Sequence, residues 1–380
     1  MAGRPFSTGS TTAGAEMAHA AALAVVCPDA RPAARADPSQ RVGSFGLRSE
    51  GVPAFPSSEF DVIARIRQRL ATSHEGRADL PGPHEGEVFS GDDAAVLAVP
   101  SPGQLLLSID LLVEGVHLDL SLGSPADAGW KAIAVNASDI AAMGGRPLHV
   151  VAGITAPPGT DLDAISEGMV EACSSYGIAL VGGDLSTGGS VVLAVAITGT
   201  CDGRAPVLRS GAKAGDVIWV TGPLGASAAG LEHLRCRGAG RPHEPGVAGP
   251  ALEHLVRAYR RPLARVREGR AAATAGATAM IDVSDGLSKE LDHIGSDSGV
   301  GIRLHYVPAA KGASLAQALG GGEDYELVFT APEGAPVPEA FATAGLRPPE
   351  RIGICSSVAD ERLLDGRLFP VTGWEHSFSG

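Results

Sequence analysis

The sequence predicts an α/β protein of two domains, and three observations carry that reading. Its 380 residues exceed the roughly 100–200 of one typical domain. From Gln104 onward, short apolar runs of strand length alternate with helical patterns. The alternation is broken once, by the turn-rich stretch Asp202–Ala214, and then starts afresh. These features divide the chain into a first domain over residues 59–206 and a second over 207–380. Residues 1–58 are rich in Ala, Gly, Pro, Ser and Arg and lack periodicity. They read as a disordered tail, or as an extension from a start codon placed too far upstream.

Patterned sequence begins behind Ser58, where Phe60, Ile63, Ile66 and Leu70 recur at helical spacing after a serine N-cap. Gln104–Ile109 reads as a strand ending at Asp110. Trp130–Met143 reads as a helix with Trp130, Ile133, Ala137 and Ile140 on one stripe, stopped by Gly144-Gly145. Leu148–Thr155 and Ser190–Thr200 are expected strands, with a helix over Leu162–Tyr176 between them. In the second half, a strand over Asp216–Thr221 leads through a glycine-bearing turn to a helix from about Ala226. Residues 237–250 read as a loop. Met280–Val283 and Tyr325–Thr330 are expected strands and Leu287–Ser296 a helix. No repeat of solenoid period is present.

Composition narrows the function. Thirty basic against 43 acidic side chains leave a formal charge of −13. That balance argues against a nucleic-acid or anionic-membrane binder, which needs a basic face. Glycine (51) and proline (27) together stay below the roughly 25–30% that marks disorder. The five cysteines are scattered and form no CxxC pair, so neither a disulfide framework nor a zinc site is expected, and a reducing cytoplasm is the expected compartment. No apolar run reaches the ~18 residues of a membrane span. Ala20–Val26 is too short, and no basic segment adjoins it as in a secretion signal.

The informative feature is where the acids fall. Asp92-Asp93 follow Gly91, Asp110 ends a strand, and Asp139 flanks an apolar helix beside Asn136. Asp184 follows Gly182-Gly183, Asp282 and Asp285 bracket Ser284, and Glu323-Asp324 follow three glycines. Any one of these is equally an ordinary turn or cap residue, because Asp makes Asx turns. Taken together they predict convergence. Two carboxylates ~4 Å apart repel by about 4 kcal/mol at an effective dielectric of 20, so a cluster persists only by taking up protons or cations. Oxygen ligands without His or Cys suit Mg²⁺, which commonly keeps positions open for phosphate oxygens. Arg209 and Lys213 supply cations before a strand, either as a phosphate clamp or as a solvated turn. Gly222–Gly225 is neither a P-loop nor a dinucleotide fingerprint, though its amides could face phosphate. His117 and Ser284 have equally ordinary readings, as a core or surface histidine and a helix cap. No covalent nucleophile is apparent.

The motifs together are more specific. EFDVIARI (59–66), GDDAAVL (91–97), SIDLLVEGVHL (108–118), WKAIAVNASDIAAMGGRP (130–147) and GGDLS (182–186) occur in order. RSGAKAGD (209–216), VTGPLGASAAGL (220–231), IDVSDGL (281–287), GGEDYELVF (321–329) and GW (373–374) follow. Over about residues 59–378 the sequence resembles the thiamine-monophosphate kinases, of the aminoimidazole-ribonucleotide synthetase superfamily. The resemblance implies that superfamily's fold. Its N-terminal domain would pair with a second copy in a barrel-like β interface, and its C-terminal domain is α/β. The implied reaction is ATP-dependent phosphorylation of thiamine monophosphate to thiamine diphosphate, the last step of thiamine diphosphate biosynthesis, by in-line Mg²⁺-assisted transfer.

Residue by residue, the resemblance assigns Asp93, Ser108, Asp110, Asp139, Asp184, Asp282 and Asp285 to several Mg²⁺ ions. Asp139 and Asp282 would be central to turnover. Gly183, Asp184, Arg209 and Ser284 fall at ATP positions, and His117, Glu323 and Trp374 near the thiamine substrate. The implied partners are ATP, thiamine monophosphate and a second copy of the chain, without nucleic acid or membrane. Two departures stand out: Ile109 where relatives often carry Thr, and Ala226 where an acid is common. Other superfamily chemistries, selenophosphate or aminoimidazole-ribonucleotide synthesis, and a non-catalytic nucleotide-binding scaffold are the alternatives.

Overall fold

Strand β1 (Leu105–Val113) shows how the first half is built. Leu106 and Leu112 are buried, while Leu105, Leu107, Ile109 and Leu111 are exposed, so one face of the strand enters a core and the other is open. A computed structural model describes residues 103–240 and 246–375, with Arg65 and Gln68, all inside a unit running from Pro53 to Gly380. Arg65 and Gln68 are helical, and Arg65 Nε donates to Asp163 Oδ1 at 2.9 Å. The expectations for residues 1–58, for the rest of the first helix and for the Gly91-Asp92-Asp93 turn lie outside the described residues.

β1 joins β2 (Arg146–Ala156), β3 (Ala179–Thr187) and β4 (Val192–Thr200) in a sheet of order β1-β4-β2-β3. The β1–β4 and β4–β2 pairs are antiparallel, β2–β3 parallel. Helices α1 (Pro125–Ala142) and α2 (Leu162–Tyr176) pack on its inner face. α1 begins five residues earlier than Trp130 because Ser124 and Asp127 form a capping box with Pro125 in the first turn. The two helices cross with almost no side chain between them. A Cβ on Gly129 would lie 2.0 Å from the Ile165 carbonyl oxygen, and one on Gly168 would lie 1.8 Å from that of Ala126.

The second half is a seven-stranded sheet of order β11-β10-β7-β9-β5-β8-β6. Its strands are β5 (Val217–Val220), β6 (Ala279–Asp282), β7 (Gly301–Leu304), β8 (Leu327–Ala331), β9 (Glu350–Ser356), β10 (Arg362–Leu364) and β11 (Arg367–Leu368). Helices α3 (Ala226–Gly238), α4 (Pro250–Arg260), α5 (Val266–Thr274), α6 (Leu287–Ser298), α7 (Leu315–Gly320) and α8 (Val337–Thr343) accompany it. One core lies under α6, around Ile218, Val220, Ile281, Leu287 and Ile294. Another joins Ala141 and Ala142 of α1 to Met280, Leu327, Phe329 and Phe341. α1 is therefore the seam between the halves, which explains why it is buried on nearly every side rather than along one stripe. Among the described residues, no helix is long and apolar enough to cross a membrane.

Candidate active site

The last third of α1 brings the two halves' acids together. Asn136 Oδ1 accepts from the Asp110 backbone amide at 3.1 Å, which anchors β1 to the helix. Ser108 Oγ donates to Asp139 Oδ2 at 2.5 Å. From the other side, Ser138 Oγ donates to Asp282 Oδ2 at 2.6 Å, at the end of β6. Burial pushes the Asp110 carboxyl up to about 6, with further upward pressure from Asp139. Burial raises Asp139 as well, opposed by the Ser108 hydrogen bond and the charge of Arg209. Asp282 is raised furthest by its complete burial, then by Asp139, with Glu290 and Asp110 adding to it. Three carboxyls from two half-molecules thus share one field, and each resists ionisation. Among the described residues no group of three or more His, Cys, Asp or Glu side chains is placed so that it could hold a metal ion by itself.

The turn after β6 holds the next group. The Asp285 amide donates to Glu290 Oε1 at 3.0 Å and Ser284 Oγ to the same oxygen at 3.4 Å, so the first turn of α6 fixes the loop. Burial lifts Glu290 to about 7. Lys289 Nζ reaches Asp285 Oδ2 at 2.7 Å and the Trp374 carbonyl at 2.5 Å, while the Trp374 amide donates to the Asp285 carbonyl at 3.0 Å. Trp374 is thus moored to this turn with its residue still 52% exposed.

Glu323 to Glu326 send four side chains to four tasks. Glu323 and Tyr325 adopt φ of 57° and 52°, a strained backbone for residues other than glycine. The loop is held by bonds from the Glu323 and Tyr325 amides to the carbonyls of Ser284 and Val283, at 2.7 and 2.9 Å. Glu323 pairs with Lys131 at 2.5 Å. Asp324 accepts from the amides of Gly225 (2.5 Å) and Ser227 (3.3 Å), capping α3. Tyr325 is buried, and its hydroxyl is pushed up by burial, then by Glu323, Asp282, Asp110 and Asp139. Glu326 takes Arg265 through both oxygens, at 2.5 and 3.0 Å, and Thr221 at 2.5 Å.

The remaining predicted positions divide. His117 Nδ1 accepts from the Val113 amide at 3.1 Å, which leaves the ring proton on Nε2 in the neutral imidazole. Arg209 is exposed and acts on Asp139 through its charge. Asp184 does not join the group in a single chain. It pairs with Gly153 on the far edge of the first sheet and alternates with Leu185, which packs into the core, so it lies on the open face. Asp110, Val195, Ala152 and Gly183 form one row across that sheet, which sets Gly183 about 14 Å from Asp110. A Cβ on Gly183 would sit 2.3 Å from the Ala152 carbonyl oxygen, so the position admits no side chain. Asp93 lies outside the described residues.

Two expectations change. The amides of the Gly222–Gly225 turn do not face open space: Asp324 occupies the α3 terminus, which also accounts for Ala226 needing no acid of its own. Ile109 points to the open face at 60% exposure, away from Ser108 and Asp139, so a threonine hydroxyl there would not face those groups. The sequence reading also missed Lys131, Ser138, Glu290 and Tyr325. A lone lysine and a serine inside an otherwise apolar helix were the available signal.

Two half-molecules closing on a shared set of acids define the class. Residues 91–201 match the model of the AIR synthase related protein, N-terminal domain. The chain is 42% identical over 339 residues to the thiamine-monophosphate kinase of Mycobacterium tuberculosis, across 83% of this chain and 91% of that one. Its structure matches the crystal structure of thiamine-monophosphate kinase from Stenotrophomonas maltophilia K279a, with TM-score 0.68 and 32% identity over 82% of this chain and 98% of the other. It also matches AaThiL complexed with AMPPCP and TMP, with TM-score 0.63 and 30% identity over 84% and 97%. The chain belongs to the thiamine-monophosphate kinase family.

Proposed function

We propose that the chain transfers the γ-phosphoryl group of ATP to the phosphate of thiamine monophosphate, giving thiamine diphosphate and ADP. The observation that carries this reading is the meeting of Asp110, Asp139 and Asp282 at the seam between the halves. The similarity to AaThiL complexed with AMPPCP and TMP supports the substrates. The acceptor's phosphate oxygens are already anionic, so no general base is needed. The difficulty is repulsion between two phosphates, and what the protein contributes is positioning and charge.

The donor set fits Mg²⁺: oxygen only, buried, and short of counter-charge. Asp110, Asp139 and Asp282 with Ser108 would hold it, and Asp93 and Asp285 are proposed to complete the set. Mg²⁺ bound there supplies Lewis-acid polarisation and neutralises phosphate charge. Arg209, beside Asp139, would clamp the donor phosphates together with Gly183 and Ser284. At the acceptor end, Glu323 would accept from the aminopyrimidine or balance the thiazolium, His117 would donate, and the Trp374 indole would stack, worth about 0.5–2 kcal/mol.

The division at about residue 206, a cytoplasmic setting and a homodimer belong to the same proposal. Supporting the dimer, Leu105, Leu107, Ile109 and Leu111 of β1 and Val151 of β2 form an exposed apolar stripe on the open sheet face. The test of function is a coupled ADP-release assay with thiamine monophosphate, thiamine and an aminoimidazole precursor. ADP release dependent on thiamine monophosphate is expected; release with only the other acceptors, or none, would refute it.

A further inference from the structure

Lys131 is 3% exposed, on α1 between Trp130 and Ile133, two turns before Asp139. Burying an ammonium is costly unless its donors are used. Here they are used by groups from segments far apart in sequence. Nζ donates to the His117 carbonyl at 3.1 Å, in the loop after β1. It meets Glu323 Oε1 at 2.5 Å, in the strained loop before β8. It also lies 4.7 Å from the centre of the Tyr259 ring, on α4. A small surface pocket opens beside it, walled by Leu118, Leu120, Ala128, Tyr259 and Arg260. A leucine would fill this part of α1 without the desolvation penalty, so packing alone does not account for the residue.

We infer that Lys131 is the positioning residue of the acceptor end, holding the Glu323 carboxylate and the His117 loop in the one arrangement that receives the organic part of thiamine monophosphate. The inference rests on the proposed roles of Glu323 and His117. A carboxylate accepts at two oxygens. One can be held by Lys131 while the other takes a hydrogen bond from an aminopyrimidine. Without the ammonium, Glu323 regains rotamer freedom and the His117 loop loses its tie to α1, so the acceptor must order both on binding. ATP, at the other end of the site, is unaffected.

The test compares Lys131→Met, Glu323→Gln and the double variant in steady-state ADP release, with thermal midpoints measured in parallel. Each single variant is expected to raise KM for thiamine monophosphate by about tenfold or more, the scale on which one partner of a close charge pair is felt, and the double variant no further than the worse single. KM for ATP should hold within about twofold. Lys131→Gln, which keeps a donor for the His117 carbonyl, is the second variant should Lys131→Met fail to fold, with the same expectation. Wild-type KM for thiamine monophosphate in a folded Lys131 variant, equal losses in both KM values, or effects that multiply in the double variant would overturn the inference. An unchanged KM in Glu323→Gln would instead remove Glu323 from the acceptor site, and the proposed binding roles with it.

Discussion

Ser138 and Asp282, 144 residues apart in sequence, are joined by a 2.6 Å hydrogen bond that locks the seam helix to the final residue of β6. The serine partly stabilises a carboxylate that burial and its acidic neighbours otherwise oppose. Asp282 is thus held against its own electrostatic preference, as expected of a group whose task lies in binding or catalysis rather than in stability.

Asp282→Asn and Asp139→Asn should therefore reduce turnover by about 10²–10³-fold or more, the loss seen when one preorganised electrostatic group is removed. Thermal stability should stay level or rise, because each change removes a buried like charge. Near wild-type turnover at saturating Mg²⁺, in folded protein, would refute the role assigned to these acids.

The crossing of α1 over α2 gives a stability prediction. Gly168→Ala would place a methyl 1.8 Å from the Ala126 carbonyl oxygen, where only backbone can yield. A loss of about 3 kcal/mol or more is expected, at the upper end of overpacking costs. Urea unfolding checks it, and a midpoint within experimental error of wild type would show that the helices can separate freely.

Much of this was legible in the sequence, and the pattern of successes has a physical cause. Leu162–Tyr176 carries a clean helical period and starts and stops where expected. β4 is apolar and long enough to be read directly. β3 was missed because its Gly182-Gly183-Asp184 run looks like a turn, whereas the glycine is there for close strand approach. α4 and α5 escaped because Arg and Glu dominate their exposed faces and obscure short apolar stripes. Asp110, Asp139 and Asp282 could be named as candidates from an expected strand end, the flank of an apolar helix and a strand-to-helix turn. That they face one another, and that Asp184 faces elsewhere, depends on strand order, which no local signal encodes.

Acid–base behaviour offers a separate check at Asp324, away from the proposed metal set. Burial raises this carboxyl from 3.8 to about 7. Between those values the folded chain keeps a proton that the unfolded chain has released, so stability falls as pH rises through the window and levels off above it. The change amounts to a few kcal/mol at most. Asp324→Asn should reduce the dependence between about pH 5 and 8, leaving the parts due to Glu290, which burial also lifts to about 7, and to the Asp110, Asp139 and Asp282 carboxyls, which burial raises as well. Urea midpoints across that range measure it; an undiminished slope would remove Asp324 as its source.

The open face of the first sheet is tested by Leu107→Asp. Leu107 is 73% exposed at the centre of the apolar stripe. Light scattering should give a dimer for the wild-type chain and a mass near the 38.4 kDa of one chain for the variant. A wild-type chain already at that mass would end the dimer proposal.

Lys131 and Asp139 ride on the same rigid rod, eight residues apart, which at 1.5 Å per residue is about 12 Å. The helix acts as a gauge block between the two ends of the site. Loops elsewhere can lengthen with little effect on it. A single residue inserted between these two would rotate one end by about 100° relative to the other and break the alignment at once.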